Sequence, residues 1–149
     1  MTLTQDHDLS IVVSASGEVD AGVSAGASAL LLDEATGTRT RLASGGTMVN
    51  IRFMDVMAIA AALRYHQTMF AKEGHVYRCL ILTENAELVS EAEAGNHDSY
   101  EWSMLNWFKA HGYALTWQWQ SCMAEDSRDN AQEAKAVRTA VREATEWNL

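Results

Sequence analysis

"RFMDVMAIAAAL", residues 52–63, is almost wholly apolar, yet it carries Asp55. At helical spacing Asp55 sits between Ile51 and Ile59, with Ala58 and Ala62 on the same stripe. A lone carboxylate on an apolar stripe is costly to bury unless it is paired, protonated or holding a metal. The pattern predicts a helix from about Asn50 to Lys72, stopped by Gly74. Two explanations of Asp55 stand open: an ion pair with Arg52 or another base at the rim of a sheet, or membership of a metal site.

Upstream, LSIVV (9–13) is rich in β-branched residues and reads as a strand. The small-residue tract SASGEVDAGVSAGA reads as a loop or a wide hairpin connection. ALLL (29–32) is a short buried run, DEATGT a turn around Gly37, and TRTRLAS an alternating antiparallel strand. Downstream, VYRCLILT (76–83) has the continuous apolarity of a strand buried on both faces. ENAELVSEAEA forms a short helix. Asp98 and Glu101 make a capping-box pattern for another, which runs through His111 to Gly112. YALTWQWQ (113–120) alternates as a strand, SCMAEDSRD is a loop, and a last helix starts at Asp129 and Gln132. The order β-β-β-α-β-α-α-β-α predicts one α/β domain over 1–149, a mixed sheet flanked by helices.

Composition narrows the function classes. Twenty acids against eleven bases give a net charge of −9, and the bases are scattered. Phosphate contact normally needs a basic patch, so the balance moves toward a protein partner or a metal, short of excluding nucleic acid. There is no CxxC, HExxH, GxSxG, Walker A or GxGxxG pattern. Cys79 falls in an apolar run as a small core residue, and Cys122 lacks a histidine near it in sequence. No apolar run is long enough for a membrane span, since Arg52, Asp55 and Arg64 cut the best candidate. A reducing, cytoplasmic setting is the expectation.

Three stretches together resemble ribonuclease H. "RFMDVMAIAAAL" is similar to the family's first helix, in which an acid precedes an apolar Met-Ala run. "CLILTENAELV" resembles the fourth strand ending in Thr-Asp-Ser and running into a helix, with Glu84 in the acid's place. "LTWQWQ" resembles the fifth strand, and counting without gaps from Trp117 puts the family's last acid at Glu133. The resemblance implies a five-stranded ribonuclease H-like sheet with three antiparallel strands first. It also implies Mg²⁺ or Mn²⁺ held by converging carboxylates, with an RNA–DNA hybrid as substrate. Asp55, Glu84 and Glu133 become the candidate catalytic and metal residues.

The departures from that pattern weigh heavily. The family's first strand carries an Asp that bridges both metals, whereas this chain reads IVVSASG, with Ala15 or a neighbouring Ser at that place. No carboxylate follows until Glu18 and Asp20, which would have to fold back to replace it. Asp55, Glu84 and Glu133 are each the opposite acid from the family's choice, a displacement of ~1.5 Å that can cost ~100-fold in rate. Met123 stands where the family has a His that helps product leave. The expectation is a ribonuclease H-like protein with an incomplete carboxylate site, catalytically impaired and acting by binding a protein or a nucleic acid. The alternative is an active divalent-metal nuclease on RNA–DNA hybrids. Trp117 and Trp119 are expected in the core beneath a helix, and one of Trp102 and Trp107 outside it.

Overall fold

A computed structural model describes residues 7–17, 24–95, 97–121 and 125–147. The elements follow the predicted order: β1 Leu9–Ser16, β2 Ala25–Asp33, β3 Thr38–Gly46, α1 Ile51–Met69, β4 Tyr77–Thr83, α2 Ala86–Ala94, α3 Tyr100–Ala110, β5 Tyr113–Trp119 and α4 Glu125–Trp147. They build one five-stranded sheet in the order β3-β2-β1-β4-β5. β1–β2 and β2–β3 are antiparallel, while β1–β4 and β4–β5 are parallel. Among the described residues no helix is long and apolar enough to cross a membrane.

The period-two alternation of β1 and β2 assigns the two faces of the sheet. Leu9, Ile11 and Val13, with Ala25, Ala27, Ala29 and Leu31, lie in one core with Met54, Ile59 and Leu63 of α1 and Trp102 and Leu105 of α3. The alternate residues look the other way, where α4 lies: Ser14 Oγ donates to the Ser127 carbonyl, and Ser28 Oγ donates to Asn130 Oδ1. Helices on both faces give the three layers expected of a mixed sheet.

The small-residue tract joins the two strands of an antiparallel hairpin, and its described ends are more strand than its composition suggests. β1 continues to Ser16 and β2 begins at Ala25, so most of the tract's described residues are strand. The reason is the closeness of α4. A Cβ on Gly26 would lie 2.4 Å from the Ala134 carbonyl and 2.6 Å from the Arg138 amide, both backbone. One on Gly45 would meet Val141 at 2.7 Å. Small residues are what let a helix rest on these strands.

Element ends differ for local reasons. α1 stops at Met69, where the Phe70 N–H returns to the His66 carbonyl, and Gly74 (φ +82°) turns the chain afterwards. The Lys72 N–H is held by the Tyr77 hydroxyl, which draws the chain out of the helix early. The N-cap of α3 is Ser99 rather than Asp98, and it makes no side-chain cap bond. α4 starts at Glu125, one turn before the expected Asp129. Ser127 and Asn130 are weak helix formers, but both side chains bond elsewhere in the fold, and that outweighs propensity.

Candidate active site

Asp55, Glu84 and Ala15 meet at one end of the sheet. They line a cavity of about 540 Å³ with Asn50, Ile51, Arg52, Asn85, Ala86 and Glu87. Each arrives there for a local reason. Asn50 caps α1 by accepting the Phe53 N–H at 2.8 Å, which sets the helix phase that turns Asp55 inward. Thr83 ends β4, and the Asn85 side chain caps α2 through the Leu88 N–H, leaving Glu84 between them at the strand end. Ala15 reaches the cavity by alternation, whereas Ser14 beside it bonds to α4. The β1 residue that faces the cavity is therefore Ala15, which presents only a methyl group there.

Asp55 is 3% exposed. Its Oδ2 accepts a hydrogen bond from Asn85 Nδ2 at 3.0 Å, and its Oδ1 has no hydrogen-bond partner among the described residues. Burial raises its pKa from the usual 3.8 to about 7; the Asn85 bond pulls it back down, and the charge of Glu84 pushes it up. The Arg52 explanation fails on geometry. That guanidinium reaches away to Glu91, to Glu101 at 3.2 Å and to Glu87 at 3.7 Å. The three acids come from α2 and α3, so Arg52 ties three helices together and leaves Asp55 unneutralised.

The remaining candidates lie elsewhere. Glu133 is exposed on α4, on the opposite side of the sheet from α1, and is absent from the cavity lining. Its neighbour Ala134 is the residue pressed against the strands. Asp20, Glu18, Cys122 and Met123 lie outside the described residues. Two carboxylates, Asp55 and Glu84, thus share the cavity with Glu87, which is turned to Arg52. Among the described residues no three His, Cys, Asp or Glu side chains are grouped to hold a metal ion. A two-cation centre needs anionic oxygens converging on both ions, and this donor set does not fit one.

Asn85 is the residue that sequence reasoning missed. Its signal was an Asx residue directly before a helical run, read only as part of the short helix ENAELVSEAEA. Here one side chain both caps α2 and tethers Asp55. Trp119 also departs from expectation: Trp117 packs on Trp102 at 5.2 Å, but Trp119 is 53% exposed. Its indole N–H donates to the Glu84 carbonyl at 3.1 Å, which holds the ring at the rim beside the cavity instead of beneath a helix. Trp102 is buried and Trp107 partly exposed, as their spacing predicts.

No family model matches the chain, and no curated protein matches its sequence. Solved structures match its shape. The N-terminal ribonuclease H domain of a Mycobacterium tuberculosis protein, solved as a fusion with maltose-binding protein, aligns with a TM-score of 0.68 at 13% identity, over 92% of this chain and 99% of that one. LC11 ribonuclease H1 in complex with an RNA/DNA hybrid aligns at 0.64 and 14%, over 92% and 99%. Ribonuclease H1 from the halophilic archaeon Halobacterium salinarum aligns at 0.59 and 12%, over 91% and 98%. At such identities the likeness is one of fold. The chain has the ribonuclease H-like fold, with the five-stranded mixed sheet that the three sequence stretches implied.

Proposed function

We infer that this chain is a ribonuclease H-like protein with impaired hydrolysis that acts by binding, and that an RNA–DNA hybrid is its first candidate partner. The observation that carries the reading is Ala15. It is the strand residue that lines the cavity beside Asp55 and Glu84, and it brings no carboxylate to them. Without that acid, the described residues offer too few converging carboxylates to hold two cations side by side. Asp55 and Glu84 together suit at most one Mg²⁺ or Mn²⁺, with water filling the other positions. A hybrid is favoured as partner because a structure of this fold, LC11 ribonuclease H1, was solved with one.

The test pairs cleavage with binding on a labelled RNA–DNA hybrid in excess Mg²⁺ or Mn²⁺. The parent is expected to bind at low salt without cutting, and Ala15→Asp to gain cutting. Cutting by the parent that is lost in Asp55→Asn would establish an active nuclease and overturn the reading. Absence of hybrid binding at low salt would leave a protein as the partner.

A further inference from the structure

α1 and α3 face one another across a groove that shares no lining residue with the Asp55 cavity. Met57, Ala60, Ala61 and Arg64 line it at the spacing of one face of α1, and Met104, Trp107 and Phe108 at that of one face of α3. Ser44 of β3 lines it too. The space is about 500 Å³, within the size range of small-molecule sites. Two alanines keep it open, because neither side chain is long enough to cross toward α3. The walls are chiefly alanine, methionine and aromatic rings, and no acid lines them, in a chain with 20 acids. The one charged lining residue is Arg64. Its guanidinium carbon lies 4.8 Å from the centre of the Trp107 ring and 5.4 Å from that of Phe108. Nη1 donates to Gln67 Oε1 at 3.0 Å, which leaves the guanidinium other donors to offer. Arg39, Arg52 and Arg78 each pair with an acid, whereas among the described residues no carboxylate pairs with Arg64.

We propose that this groove binds a small monocarboxylate with an apolar tail, its carboxylate on Arg64 and its tail between α1 and α3. Charge selects the head group. A carboxylate matches the guanidinium with two parallel hydrogen bonds, whereas a cation would meet Arg64 with no lining acid to hold it. Stacking on Trp107 and Phe108 holds the guanidinium in place beforehand, so little freedom is lost when the carboxylate arrives. The walls select the tail. Ser103 Oγ already donates to the Tyr100 carbonyl, so Ser44 is the one lining hydroxyl without a bond among the described residues. A sugar or a nucleobase would give up its hydrogen bonds to water for few in return. Met57 and Met104 are flexible enough to close around an aliphatic chain. Arg64 is exposed, so the head group stays near water while the tail is covered. For a ligand of this size the affinity expected is modest, with Kd on the order of 0.1–1 mM.

The experiment titrates the full ¹⁵N-labelled chain with octanoate, octanol and octylammonium, each to ~3 mM, and follows the Trp107 indole N–H signal, assigned by its loss in Trp107→Phe. Octanoate is expected to shift that signal saturably and to bind at least ~10-fold more tightly than the alcohol or the amine. Arg64→Gln should weaken octanoate ~10-fold and leave octanol unchanged, and the exposed position keeps the fold out of question. Ala61→Phe should fill the groove and abolish binding of octanoate and octanol alike. No shift with octanoate would overturn the proposal. So would octanol or octylammonium binding as tightly as octanoate, or octanoate binding that survives Arg64→Gln; the groove would then be an apolar surface without a carboxylate site.

Discussion

Ser14 and Ala15 are neighbours on one strand, and they look into opposite halves of the molecule. Behind Ser14 a run of polar side chains between sheet and α4 is hydrogen-bonded. Asn130 donates to the Val12 carbonyl at 2.7 Å and accepts from Ser28 and Arg41, while Ser127 receives Ser14 and donates to Gln120. Behind Ala15 the cavity contains a buried carboxylate with one oxygen bonded and the other not. Both sides bury polar atoms, and Ser14, Ser28 and Asn130 are bonded where Asp55 Oδ1 is not. A completed network fixes a helix in place, whereas an incomplete one is held at a cost that packing alone does not explain.

That contrast can be broken most severely on the α4 side. Gly26→Val directs its Cβ at two backbone groups of α4 that cannot give way, so a loss of at least ~3 kcal/mol is expected in urea or thermal unfolding. A Val at this site with parental stability would show that α4 lies further from the sheet. Next in size is Asn130→Ala, which strands the Val12 carbonyl and removes the acceptor of Ser28 and Arg41. About 2–3 kcal/mol should be lost, with little dependence on pH.

On the cavity side the sign reverses and pH enters. The folded protein raises the Asp55 pKa to about 7 from the usual 3.8, so it favours the protonated acid. The benefit is fully present below about pH 4 and is lost as pH climbs through 7, leaving an ionised Asp55 as a penalty above that. Asp55→Asn should therefore stabilise the protein at pH 8 by about 1–3 kcal/mol, with the gain gone near pH 4. Denaturant midpoints at the two pH values check this, and a uniform loss would mean that Asp55 is neutralised by something else. The smallest change belongs to the surface: Arg39→Ala breaks an exposed bridge to Asp126 and should move stability by no more than about 0.5 kcal/mol.

The fold was legible because its elements advertise themselves at two periods. The apolar stripe through Asp55, the continuous run before Glu84 and the alternation around Trp117 each specify an element and a facing direction. The resemblance pointed to Ala15 or a neighbouring Ser on the first strand, and alternation turns Ala15 to the cavity and Ser14 to α4. What stayed hidden was distance between layers. Gly26 and Gly45 read as loop punctuation until α4 is seen lying on them, because a single sequence does not say which helix will approach. Glu133 illustrates the same limit. Counting from Trp117 put an acid at the right distance along the chain, but helix phase turns Ala134 to the sheet and Glu133 to solvent. Arg52 was invoked for Asp55 through their closeness in sequence, yet residues three apart on a helix need not pair when three glutamates from other helices compete.

The two glycines under α4 act as a key in a slot. Turning that helix by one residue, about 100°, would carry Ala134 off Gly26 and drive a larger side chain into the strand. Glu133 is therefore locked outward by a fit made on the far side of its own helix. A helix rotation could not bring Glu133 to the cavity; a further carboxylate there would have to come from the strand, and Ala15 is the β1 residue that faces it.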